Sequence, residues 1–279
     1  MVNTTTTDAV LIKDQVATML VEPLEAASVV LAAGPTIFNS SEPLRIPRLT
    51  NSGTVEWVGE GEQIPDDYAA TFDEIALMPT SRKSLKSITR VTNELIRAAT
   101  IGVDKVLQQR LVHDVQTKLD DALLNGDGTN DSITGLTAQT GVQAGELDLT
   151  SADTFLDGLA LASAEEVTPN RWFLNGQDFF KVRKLKDGNG RYILESDVTA
   201  DTTYRLFGVP VTVTNKLAAG TAILADMSQV AVVRDLDAEV KILTELYAGT
   251  DETGIRVVTR YDLGLIRPEA VVKLTAAEG

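Results

Sequence analysis

The stretch TNELIRAATIGVDKVLQQRLVHDVQTKLDDALLNG, residues 92–126, carries the longest helical period in the chain. Ile96, Ala99, Val103, Val106, Leu107, Leu111, Val115, Leu119, Ala122 and Leu123 recur at spacings that bring them onto one face of a helix. Asp104, Lys105, Gln108, Gln109, Asp114, Lys118 and Asp121 cover the other face, so the helix is amphipathic and needs a sheet or another helix to lie on. Thr92 suits the N-cap, Glu94 suits the positive end of the dipole, and Asn125-Gly126 predicts a left-handed stop. Gly102 divides a short first helix from a helix over 103–124, which at 1.5 Å per residue is about 30 Å long.

Upstream of this spine the period changes to that of strands. LRIPRL (44–49), TVEWVGE (54–60) and FDEIALMP (72–79) alternate apolar with polar residues and predict a long two-stranded ribbon, with a third strand through Leu85, Ile88 and Val91. Between Val55 and Ala76 stand seven carboxylates (Glu56, Glu60, Glu62, Asp66, Asp67, Asp73, Glu74) and no basic residue. A lone two-stranded ribbon is marginal in water, so one carrying Trp57, Tyr68 and Phe72 asks for a neighbour. Before it, residues 1–7 read as a polar tail and 8–33 as a short amphipathic arm broken at Pro23.

Downstream, NGDGTNDSITGL (125–136) is a loop. Ser151 or Thr150 caps a helix through Phe155, Leu159 and Ala162. Arg171 to Leu174 is a short strand leading to a helix around Phe179, Phe180, Val182 and Leu185, and 186–190 is a turn. Strands are predicted over 209–214, 222–225, 230–234 and 240–243, then over 254–261 and 270–274, the last two pairing back beneath the spine. Helices and strands that alternate over short connections make a compact α/β block.

Composition narrows the function. The 279 residues, 43% hydrophobic and 23% charged, are enough for one large or two ordinary domains. A net charge of −15 argues against gripping nucleic acid by its phosphates, though not against enclosing it. With no cysteine there is no disulfide, thiolate metal site or cysteine nucleophile. No run approaches a membrane span, MVNTTTTDAV has no secretory character, and a soluble cytosolic protein is expected.

Chemistry is sparse. His113 is the only histidine and has no G-x-S-x-G elbow to serve. Asp127-Gly128-Thr129-Asn130-Asp131 is laid out like a calcium loop but lacks its glycine and closing glutamate, and reads as a turn. No phosphate-binding glycine motif occurs, and the pairs Asp66-Asp67 and Asp120-Asp121 read as solvated or interfacial charge. No catalytic, metal or cofactor site is expected.

Taken in order, the pieces resemble the major capsid proteins of tailed double-stranded DNA phages, with the Hong Kong 97 shell fold. They are IPRLTNSGTVEWVGEGEQIPDD, FDEIALMP, SITRVTNELIRAA, ALLNGDGTNDSITGL, RWFLNGQDFFKVRKLKDGNGRYI, LFGVPVTVTNKLAAGTAILADMSQVAVVRD and IRPEAVVKLT, and they span about 25–275. The resemblance implies an α+β fold in four parts: an N-arm (1–28); a P-domain (29–47, 84–149 and 250–279) holding the spine helix at about 103–124; an extended ribbon, the E-loop (48–83); and an α/β A-domain (150–249). It implies a structural protein that assembles with itself into pentamers and hexamers of an icosahedral virion shell in the host bacterial cytoplasm. Such a shell encloses DNA without binding it specifically. Scaffolding protein, portal and decoration protein are the implied further partners. A scaffolding extension ahead of the arm, found in part of the family, has no counterpart here, so scaffolding is expected from a separate protein or a longer precursor.

The E-loop of such proteins lies across the adjacent subunit. Its expected contacts here are Glu56, Trp57, Glu60, Glu62, Asp66, Asp67, Phe72, Asp73 and Glu74, with Arg82, Lys83, Lys86, Arg90 and Arg97 of a neighbour as candidate basic partners. Some shells of this fold lock covalently through an E-loop lysine. Residues 49–81 contain none, so locking of that kind is not expected. An encapsulin-type compartment shares the fold, and a soluble hydrolase or binding protein is the alternative from another class.

Overall fold

In the computed structural model of the chain, residues 28–51, 57–62, 71–78, 83–94, 103–186, 204–235, 239–243 and 245–276 are described. A 3₁₀ turn, Leu31–Ala33, leads into β1 (Thr36–Asn39). β2 (Leu44–Asn51) and β3 (Thr71–Leu77) form the ribbon, and β4 (Ser84–Thr92) precedes the spine helix α1 (Val103–Asn125). β5 (Gln143–Leu147), α2 (Asp153–Ala164), β6 (Arg171–Leu174) and α3 (Gly176–Arg183) follow. The chain then runs through β7 (Arg205–Leu206), β8 (Val209–Val213), β9 (Thr221–Ala225), β10 (Val230–Arg234), β11 (Glu239–Leu243), β12 (Glu252–Leu265) and β13 (Val271–Ala276).

Two sheets organise these elements. In the first, β1, β10, β12 and β11 lie side by side, and β4 also pairs with β12; in the second the order is β5, β13, β9, β6, β8, β7. The spine helix lies on the first sheet. Val115, Leu119, Leu123 and Leu124 are buried against Val257, Tyr261, Leu263 and Leu265, with Phe173 and Ile223 reaching in from the second sheet. The second sheet is covered by α2 and α3, where Phe155 meets Trp172 edge-on at 5.5 Å and Phe179 and Val182 close the layer. β10 is buried on both faces, and its unbroken run Val230-Ala231-Val232-Val233 has the composition that such a strand requires.

The spine, β6 and β10 lie where their patterns predict them. Four features differ from expectation. Gly126 is not left-handed. It is a glycine because a Cβ there would stand 2.0 Å from the Ile133 carbonyl oxygen, and the returning chain itself closes the helix. The N–H groups of Leu136 and Thr137 donate to the carbonyls of Leu123 and Leu124 at 2.9 and 3.0 Å.

The other three concern burial and strand limits. Asp120 is not solvated: it is fully buried, accepting from the Ser28 hydroxyl at 2.6 Å and from the N–H of Val29 at 3.1 Å, so it ties the entering arm to the spine. Asp121, its neighbour, is exposed. The strand expected over TVEWVGE is not one where it is described: Trp57 to Gly59 are irregular and Glu60-Gly61 is a turn. β12, lastly, is one strand of fourteen residues that runs through Gly254 and Gly264. The side chains of residues 103–109, 111 and 112, Leu111 among them, lie outside the described set, as do 1–27, 95–102 and 187–203 entirely.

Candidate assembly surfaces

The ribbon changes character along its length. Near the body, Leu44, Ile46, Ile75 and Leu77 share one face and pack with Met78 on Ala231 and Val233 of the first sheet. Gly264, opposite Ala231, permits this approach, since a Cβ there would stand 2.7 Å from the Leu77 side chain. Two residues before it, on the same face of β12, the buried Asp262 accepts from the Met78 N–H at 2.7 Å and pairs with the Lys83 ammonium at 3.1 Å. Met78 takes a left-handed φ of 51° to make that bond. One carboxylate thus holds both the end of the ribbon and the start of the strand after it.

Farther out, the same ribbon face becomes charged. There Arg48 is opposite Asp73 and pairs with it at 2.7 Å, while on the other face of the ribbon Arg45 reaches Glu74 diagonally at 3.0 Å. The Arg48 guanidinium, with the Glu74 N–H, holds the Asp73 carboxyl below the usual carboxylate range. Phe72, on the opposite face, is 74% exposed. At Gly59 to Glu62 the chain turns, with Gly61 at φ 86° and the Glu62 carboxylate accepting from the Gly59 N–H at 3.2 Å. Trp57 beside this turn is fully exposed.

Of the expected basic partners, Lys83 is engaged within its own chain by Asp262. Lys86 is exposed, and the Arg90 guanidinium lies over the Tyr247 ring, 4.2 Å from its centroid. Asp73 and Glu74 likewise have partners in their own ribbon, Arg48 and Arg45, which a tally of charge beginning at Val55 passes over. Glu56, Asp66, Asp67, Arg82 and Arg97 lie outside the described residues.

The features screened for chemistry have ordinary structural roles. His113 is exposed on the spine. The Asp127 carboxylate accepts from the Thr129 N–H at 3.0 Å and the Thr129 hydroxyl at 2.8 Å, bonds that lower its pKa and fold the loop back on itself. Among the described residues no group of three or more His, Asp or Glu gathers as metal ligands, and no helix is long and apolar enough to cross a membrane.

The model of the Phage capsid family matches residues 8–276, nearly the whole chain. The chain belongs to the phage capsid family. Among its relatives, the major capsid protein of Enterobacteria phage HK97 is 27% identical over 255 residues, covering 89% of this chain and 64% of that protein. The major capsid protein of Klebsiella oxytoca phage phiKO2 is 24% identical over 259 residues, covering 82% of this chain and 59% of that protein. The chain therefore spans about three fifths of the length of these relatives. In three dimensions it superposes on the capsid of a native GTA particle with a TM-score of 0.73 at 17% identity, over 90% of both chains. A structure from Microbacterium phage Oxtober96 gives 0.72 at 16% identity over similar coverage. The architecture is the α+β fold of Hong Kong 97-type capsid proteins.

Proposed function

We propose that this member of the phage capsid family is a structural major capsid protein that assembles with itself into the pentamers and hexamers of an icosahedral virion shell around double-stranded DNA. The observation that carries the reading is the outer ribbon. A family member that presents Trp57 fully exposed and Phe72 three-quarters exposed on a two-stranded ribbon has built those side chains for a neighbour to cover. The protein works as a wall and catalyses nothing. Its net charge of −15 limits adhesion of packed DNA to that wall. Scaffolding, portal and decoration proteins are its further partners, and assembly takes place in the cytoplasm of the host bacterium.

In this proposal residues 1–28 form the N-arm and 48–83 the E-loop. The A-domain, 150–249, lies at the capsomer axis and holds α2, α3 and β6 to β11, with the P-domain formed by 29–47, 84–149 and 250–279; the six-stranded sheet joins β6 to β9 with β5 and β13, and β10 and β11 pair into the spine's sheet. Negative-stain micrographs of the purified protein test the assembly: shells or capsomers are expected, and a monodisperse folded monomer at micromolar concentration would overturn it. Because residues 49–81 hold no lysine, a denaturing gel of mature particles is expected to give one monomer band and no ladder of covalent oligomers.

A further inference from the structure

Where the spine, the start of β4, the loop over 130–133 and β12 meet, they leave a cleft of about 160 Å³. Its floor is apolar. Leu119 and Ile133 belong to the core beneath, and the partly buried Leu85 and Ala122 complete it. Tyr261 lines the same cleft and is only 3% exposed, yet its hydroxyl makes no hydrogen bond among the described residues. A polar group buried to this degree ordinarily has a partner. Burial raises the Tyr261 pKa, against an opposing pull from the Arg234 charge, so the phenol keeps a proton to donate.

The walls of the cleft are held in place by bonds of their own. Asn130 and Asp131 take successive left-handed φ values of 52° and 59°, a conformation that costs energy in residues with a side chain. The turn they make is pinned on both sides: the Ser132 N–H donates to the Thr129 carbonyl at 2.9 Å, and the Ser132 hydroxyl donates to the Asp127 carboxylate at 3.4 Å. Across the cleft, Lys83 is fastened to Asp262. With that charge balanced, Lys118 and Asp131 remain at the rim, both exposed and of opposite sign, so the site carries no net charge.

We infer that this cleft is a binding site for an uncharged, single-ring aromatic molecule carrying one hydroxyl, a ligand of the phenol class. Size, lining and charge each narrow the choice. An apolar cavity of about 150 Å³ in another protein holds benzene, so the volume here suits one ring. The apolar floor takes the face of the ring, and the Tyr261 hydroxyl donates the one hydrogen bond that the ligand's oxygen accepts. An ion of either sign would meet a like charge at the rim, Asp131 for an anion and Lys118 for a cation, which leaves the neutral molecule favoured. A ring bound there joins the spine to the strand that follows the ribbon, and the subunit gains stability with occupancy.

The purified chain, isotope-labelled at its alanine and leucine methyl groups and titrated by NMR with phenol, toluene and benzoate at low millimolar concentration, tests the site. Phenol is expected to shift the Ala122 and Leu119 methyl signals saturably. Toluene, which lacks the oxygen, is expected to bind about fivefold more weakly, the worth of one hydrogen bond, and benzoate more weakly than phenol. Tyr261→Phe breaks no hydrogen bond among the described residues, so the fold should be kept, and this variant is expected to bind phenol and toluene alike. Ala122→Leu fills the cleft and is expected to abolish both titrations while leaving the rest of the methyl spectrum in place. The inference is overturned if phenol gives no saturable shift, if its shifts persist in Ala122→Leu, if Tyr261→Phe still prefers phenol, or if benzoate binds as tightly as phenol.

Discussion

The two ends of the ribbon are made from the same pair of strands, yet they obey different rules. At the base, Leu44, Ile46, Ile75, Leu77 and Met78 lie in a core of this chain, and Asp262 satisfies the backbone where the strand ends. Beyond Arg48 and Asp73 the aromatic side chains of Phe72 and Trp57 stand exposed. Burial at one end fixes where the ribbon starts. In the proposed shell, exposure at the other end serves contact with a different chain. A substitution at the base should therefore weaken the subunit, and one in the outer part should weaken only the assembly.

The largest effect is expected at the clamp. Asp262→Ala leaves the mostly buried Lys83 ammonium and the Met78 N–H without their acceptor, and losing one partner of a buried pair costs about 3–5 kcal/mol. Urea denaturation of capsomers should register it. Gly264→Ala comes next: the added methyl meets the Leu77 and Ile75 side chains at 2.7 and 3.0 Å, and overpacking of this kind costs about 1–3 kcal/mol by the same measurement. If both substitutions were silent, the base would not be part of the subunit's core.

Two weaker perturbations probe the outer part. The pKa of Asp73 is depressed by Arg48, so the pair's contribution is fully present above the unfolded carboxylate value, about 3.9, and is lost as pH falls through the lower folded value. Ribbon amide signals should thus hold steady through mild acid and shift only below the unfolded value, and Arg48→Ala should move that midpoint upward. Trp57→Ala should change subunit stability least, within about 0.5 kcal/mol, because its side chain is fully exposed. The same variant should nonetheless lower the yield of shells in micrographs. A Trp57→Ala protein that melts early yet assembles normally would reverse the comparison.

How much of this is legible in the sequence follows from the range over which each feature is specified. The spine declares itself because a 3.6-residue period held over more than twenty residues has few competing readings, and its ends fall within a residue of expectation. β12 is legible only over 254–261, because glycine weakens a strand pattern and the space that Gly254 and Gly264 leave is needed by Tyr247 and Leu77 of other segments. Asp120 reads as solvated because helical spacing puts it beside Asp121 at the edge of the stripe, and its partner Ser28 lies 92 residues earlier. For the assembly surface, the carboxylates of the ribbon are visible as a run, whereas Arg45 and Arg48 stand in the preceding strand and neutralise part of that run. That β4 and β11 flank β12 is invisible in linear order, since the three strands come from separate segments.

The ribbon is also a mechanical element, spliced into the first sheet on both sides. The strand before it, β1, is held to β10 through four paired positions, and the strand after it, β4, is held to β12 through nine. Tension applied to the ribbon by a neighbouring subunit, as when a container is pressurised from within, divides between these two splices. The shorter one is expected to slip first, so β1 behaves as a fuse: it lets the ribbon yield by a few residues while the nine-residue splice and the Asp262 clamp keep the strap fastened.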